Sequence, residues 1–165
     1  MQSIDLVRDN LSKSRDHVLR RIDDMRAFAM VPPTPNGGCH TLWLLGHLAY
    51  IEALIIHTIM REEPNPVAEW EADFDDADVS ADPTLFPPFD SVLATCRERR
   101  TSTLVLIDSL TEADLDRTSA SVPTGYENVF GTHRLCLQYA ADHWYMHRGQ
   151  FADCRRAAGL ERMWV

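Results

Sequence analysis

The sequence predicts an all-α fold, a four-helix bundle. Three observations carry this: four long segments space their apolar residues for one helical face, Pro-, Gly-, Asp- or Ser-rich stretches separate them, and no alternating strand pattern of any length occurs. The 165 residues fit one domain, 1–165, long enough to bury a core without covalent staples.

The first segment, Ser3 to Ala29, places Ile4, Val7, Leu11, Val18, Ile22, Met25 and Ala29 on one stripe and predicts one helix. VPPTPNGG, residues 31–38, ends it, because prolines and glycines do not continue a helix. The second helix, His40 to Arg61, is apolar on most faces and is expected to be the most buried. Within it, LWLLGHLAYIEALIIHTIM (42–60) is long enough to span a bilayer, but His47, Glu52 and His57 interrupt it. Ionisable groups are costly in hydrocarbon, so a buried core helix and no membrane association are expected.

Residues 62–82 form an acidic connection expected to be solvated and to cross the end of the bundle. A third helix is expected from Phe86–Asp90 to about Leu110, with Phe89, Leu93, Cys96, Leu104 and Ile107 inward. Thr111 with Glu112–Leu115 suits a short capped turn. The fourth helix follows an N-cap at Thr132 and runs to Ala158, where Gly159 stops it.

The net charge is −9, and residues 62–82 contribute nine acids and no Lys or Arg. The remainder is balanced at 16 acids against 16 bases, with no basic stripe for a phosphate backbone, so nucleic acid is excluded as an expected partner. Four cysteines, Cys39, Cys96, Cys136 and Cys154, are widely scattered without a CxxC pair and are expected to be reduced. The opening MQSIDLVRDN has no basic leader followed by an apolar run, which predicts a cytoplasmic protein.

The chemistry centres on HWYMHRGQ, residues 143–150. At helical spacing His143 and His147 lie about 40° apart around the axis and about 6 Å apart along it, so both imidazoles can enter one cavity. Cys136, Ala140, Gln150 and Cys154 share their face, which is more polar than a bundle core tolerates without a metal, a network or a pocket. The pair alone leaves metal, core and surface readings open. In helix two, His47 within LLGHLA is the best third ligand, since Gly46 beside it would let a neighbouring helix approach. His40 lies seven residues earlier, near the helix start, where it caps or lines an entrance. Trp43 would wall a pocket, and Gln150 would help set the site. Glu52 and Asp142 suit orientation of imidazoles or surface ion pairs, Arg148 an ion pair away from the site, and His17, His57 and His133 solvated or satisfied positions. Three neutral imidazoles would leave a divalent ion, Zn, Ni, Mn or Fe, with open coordination positions. No GxSxG, P-loop, GxGxxG or HExxH motif offers another chemistry.

On LLGHLAYIE and HWYMHRGQFADCRRAAGL the sequence resembles the DinB-like superfamily, the YfiT-type bundles of metal-dependent hydrolases and transferases. The resemblance extends over essentially the whole chain. It implies an up-down-down-up bundle, a divalent metal on His47, His143 and His147, and a homodimer. It also implies either a thiol-dependent enzyme on a small molecule, as in bacillithiol S-transferases and mycothiol-dependent isomerases, or a non-catalytic metal-binding stress-response bundle with a small ligand. A helical dimer without metal is the third reading.

Overall fold

A computed structural model describes residues 2–75, 79 and 82–162. Among these the helices are α1 (Ser3–Leu19), α2 (Thr41–Ala53), α3 (Glu71–Phe74), α4 (Phe89–Ser109), α5 (Glu127–Phe130) and α6 (His133–Ala157), and there is no β-strand. The four long helices have the predicted places; α3 and α5 are short turns inside connections.

The first segment is not one helix. It breaks at Arg20–Arg21, where Arg21 adopts a left-handed backbone (φ 61°), and resumes as a 3₁₀ turn over Ile22–Phe28. All seven residues of the predicted stripe are nonetheless buried, because i, i+3 spacing in the tighter turn keeps Ile22 and Met25 on one side. Buried Arg155 of α6 stabilises the break by donating to the Arg21 carbonyl (2.9 Å) and the Asp24 carboxylate (3.2 Å).

His40 caps α2, its Nδ1 accepting the Trp43 amide hydrogen at 3.1 Å. The helix continues past Ala53 as a π-helical turn, Leu54–Ile59, and ends at Arg61. Thr41–Ile59 is long and apolar enough to cross a membrane, yet 72% of its most apolar window is buried inside the bundle, as a core helix requires. At the far end of the chain, Thr132 caps α6 by accepting from the Leu135 amide, and Gly159 (φ 72°) follows the last turn.

α1 packs on α6 and α4, and α2 packs on α4 and α6. Arg8 of α1 pairs with Asp108 near the end of α4, and Arg26 of the 3₁₀ turn pairs with Asp90 near its start, so the first segment and α4 run in opposite directions. The described start of the acidic connection runs beside α2 and not across the end of the bundle. Residues 68–74 fold back along α2, and the fully buried Phe74 ring fills the space beside Gly46, where a Cβ would stand 2.1 Å from the ring. Gly46 therefore admits the Phe74 ring of the short helix α3, and not one of the long helices. Asp76 and Asp78 of the acidic run lie outside the described residues.

Two apolar clusters form the core, and Arg100 stands between them on α4. Its guanidinium is fully buried and every N–H is matched. Nε donates to both Glu52 oxygens (2.8 and 3.0 Å), Nη2 to Glu52 Oε2 (2.9 Å) and the Ala140 carbonyl (2.8 Å). Nη1 donates to the Leu11 carbonyl (2.6 Å) and Ser14 Oγ (2.8 Å). Trp144 adds an indole N–H to Glu52 Oε2 at 2.7 Å and lies face-on, 4.2 Å from the guanidinium carbon. One ion pair thus ties all four long helices and fixes the rotation of α6 about its axis. Glu52, expected to orient an imidazole or form a surface ion pair, does neither.

Candidate metal centre

α2 presents His47 and α6 presents His143 and His147 toward one another, as the i, i+4 spacing and the antiparallel contact of the two helices require. His143 Nε2 lies 3.2 Å from His47 Nε2 and 3.0 Å from His147 Nε2. A ligand nitrogen from each of the three lies within 4.8 Å of the others, a group that could hold a metal ion. An ion held tetrahedrally at about 2.0–2.1 Å from each nitrogen would need spacings of about 3.3 Å, so small rotations of the rings suffice.

The tautomers follow from the outer partners. The Phe74 carbonyl can only accept, so at 2.7 Å it fixes the hydrogen of His47 on Nδ1 and leaves Nε2 with a free lone pair. Gln150 Oε1 does the same for His147 through its Nδ1. In neutral imidazoles this leaves one hydrogen, on His143, for two nitrogen–nitrogen contacts. Two lone-pair donors aimed at one point by outer partners on their Nδ1 atoms are how metal-ligating histidines are held, and His143 becomes the third when its hydrogen sits on Nδ1.

Burial reinforces this electrostatically. Desolvation holds His47 down to about 4, against the stabilising Phe74 carbonyl, and His143 down to about 2, with its two histidine neighbours adding repulsion. His147 is lowered too, again chiefly by desolvation. All three are neutral imidazoles at pH 7.

Trp43 is buried and stacks on His47 with ring centres 4.5 Å apart and planes 12° apart, so it backs that imidazole. Gln150 bonds His147. His40 is brought to the cap of α2, with its ring edge-on to Phe86 at 5.2 Å, and stands about 10 Å along the helix from His47. Asp142 is exposed and accepts from Gln138 at 2.9 Å; Arg148 lies toward α1, where its charge bears on His17. His57 meets Glu63 at 3.2 Å. His17 and His133, expected to be solvated or satisfied, are half-buried with no hydrogen-bond partner on Nδ1.

Two participants escaped the sequence. Phe74 acts through its backbone carbonyl, for which no residue pattern exists; its one signal is an aromatic within the acidic run. Tyr139 stacks on His143 (5.8 Å, 17°) and was legible as the residue one turn before it.

Fold and site together define a helical bundle with a three-histidine cluster between two of its helices. The DinB superfamily profile matches residues 10–151, and the chain belongs to that superfamily. A conserved protein from Enterococcus faecalis, known from a crystal structure, shares the fold: TM-score 0.63, 20% identity, covering 96% of this chain and 99% of that one. No curated protein matches the chain.

Proposed function

We propose that the chain is a divalent-metal-binding DinB protein that uses His47, His143 and His147 as ligands and catalyses thiol S-transfer to a small molecule. The observation that carries this is the convergence of three Nε2 atoms, two of them with their Nδ1 hydrogens already committed outward. A bound divalent ion supplies a Lewis-acid centre that lowers the pKa of a thiol or, in a hydrolase, of water. The chain's part is to orient the rings through Phe74 and Gln150, keep them neutral by burial and back His47 with Trp43. In the transfer, the thiol sulfur bonds to the electrophilic carbon, the leaving group departs with its bonding pair, and the thiol proton passes to solvent.

The thiol comes from outside the chain. Burial raises the pKa of Cys39, Cys96, Cys136 and Cys154 alike, which suits inert packing and not nucleophilic attack. The DinB resemblance also supports a cytoplasmic homodimer, which sedimentation equilibrium tests.

A second reading, a non-catalytic metal-binding stress-response bundle with a small ligand, is favoured by one observation. The charged neighbours on α6, Asp142 and Arg148, are engaged away from the triad. The test is conjugation of chlorodinitrobenzene or monochlorobimane by the metal-loaded protein with a panel of low-molecular-weight thiols. Turnover lost in His47→Ala supports the transferase; bound metal with no turnover for any thiol supports the second reading.

A further inference from the structure

Beyond the triad, α2 and α6 enclose an apolar groove of about 310 Å³, at the lower end of small-molecule sites. Ile51, Leu54 and Ile59 line it from α2, Tyr139 from α6, and Tyr126 and Phe130 from the segment before α6. Ile51 lies one helical turn after His47 and Tyr139 one turn before His143. Because the two helices run in opposite directions here, both turns lead the same way from the histidines. The groove therefore lies next along the α2–α6 seam from the triad.

Aromatic rings mark the path. Tyr139 stacks on His143, Phe130 meets Tyr139 edge-on at 4.9 Å, and Tyr126, 54% exposed, stacks on Phe130 at 6.2 Å. The opposite wall is the π-helical turn Leu54–Ile59, a winding that recurs at functional sites. No ionised side chain lines the groove.

We propose that this groove is the subsite for the uncharged aromatic body of the electrophile, an inference that rests on the transferase reading above. Thiol cosubstrates are built on charged amino-acid or sugar groups, and a groove whose only polar side chains are two tyrosines would strip their hydration with little compensation. A flat, uncharged ring loses nothing there, gains offset stacking on Tyr139 and Phe130, and carries its reactive carbon toward the histidines.

The test is NMR of isoleucine δ1-methyl groups in metal-free and zinc-loaded protein titrated with 1,3-dinitrobenzene, which has no leaving group to displace. Saturable shifts are expected at Ile51, Ile55 and Ile59 and not at Ile4, Ile22 or Ile107. Leu54→Arg, which places a charge in the groove, should weaken binding about tenfold or more. Tyr126→Ala, at an exposed position that leaves the core intact, should weaken it several-fold and serves if Leu54→Arg does not fold. Absence of saturable shifts, shifts at the remote methyls, or undiminished binding in the folded variants overturns the proposal. So does movement of the groove methyls on dilution without ligand, which would assign the groove to a second copy of the chain. Because binding is read without metal, loss of zinc binding with intact groove shifts counts against the metal-dependent function alone.

Discussion

Two buried polar centres sit on the same helices and differ in how completely the chain satisfies them. At Arg100, every guanidinium N–H finds an acceptor within the chain, and Glu52 takes the Trp144 indole as well. At the triad, the Nε2 atoms of His47 and His147 stand 3.2 and 3.0 Å from that of His143, and at most one hydrogen is left for the two contacts. A closed network specifies packing, whereas nitrogens held in an unsatisfied arrangement by Phe74 and Gln150 are poised for something the chain does not contain. The two centres share α2 and α6, and only the first is closed within the chain.

The contrast breaks most visibly at the closed centre. Arg100→Met should destabilise the protein by about 3–5 kcal/mol in urea unfolding, because the Glu52 carboxylate would remain buried without its partner. Adding Glu52→Leu should recover much of that loss, since an apolar pair of similar volume avoids the desolvation cost.

Acid should act on the open centre. His47 titrates near 6.5 when unfolded and at about 4 when folded, so between these values the unfolded chain binds more protons. Its contribution to the metal-free fold is fully present above pH 6.5 and is lost as pH falls toward 4. The loss is on the order of 3 kcal/mol from this residue, read from urea midpoints across that window. The smallest effect on stability, and the sharpest test of the contrast, is Gln150→Ala. It should leave the melting temperature nearly unchanged and weaken metal binding by about 10–100-fold, the usual consequence of losing an outer partner of a histidine ligand.

The long helices and the histidines were legible because both announce themselves by period: apolar stripes at helical spacing, and His143 four residues before His147. The Thr132 cap and Gly159 stop were legible for the same local reason. What stayed hidden depends on partners distant in sequence. Arg100 occupies the inward stripe of α4 about two and a half turns before the helix ends, yet nothing local says that Glu52, 48 residues away, will meet it. The break at Arg21 is bonded by Arg155, 134 residues later. The acidic run read as solvent-facing by composition, while its one buried ring, Phe74, brings a carbonyl to His47.

Elemental analysis of protein purified without chelator, comparing wild type with His47→Ala and His143→Ala, tests the central claim most directly. The account predicts near-stoichiometric divalent metal in the wild type and its loss in both folded variants. Metal retained by either variant, or absent from a wild type offered zinc, nickel, manganese or iron, would contradict it.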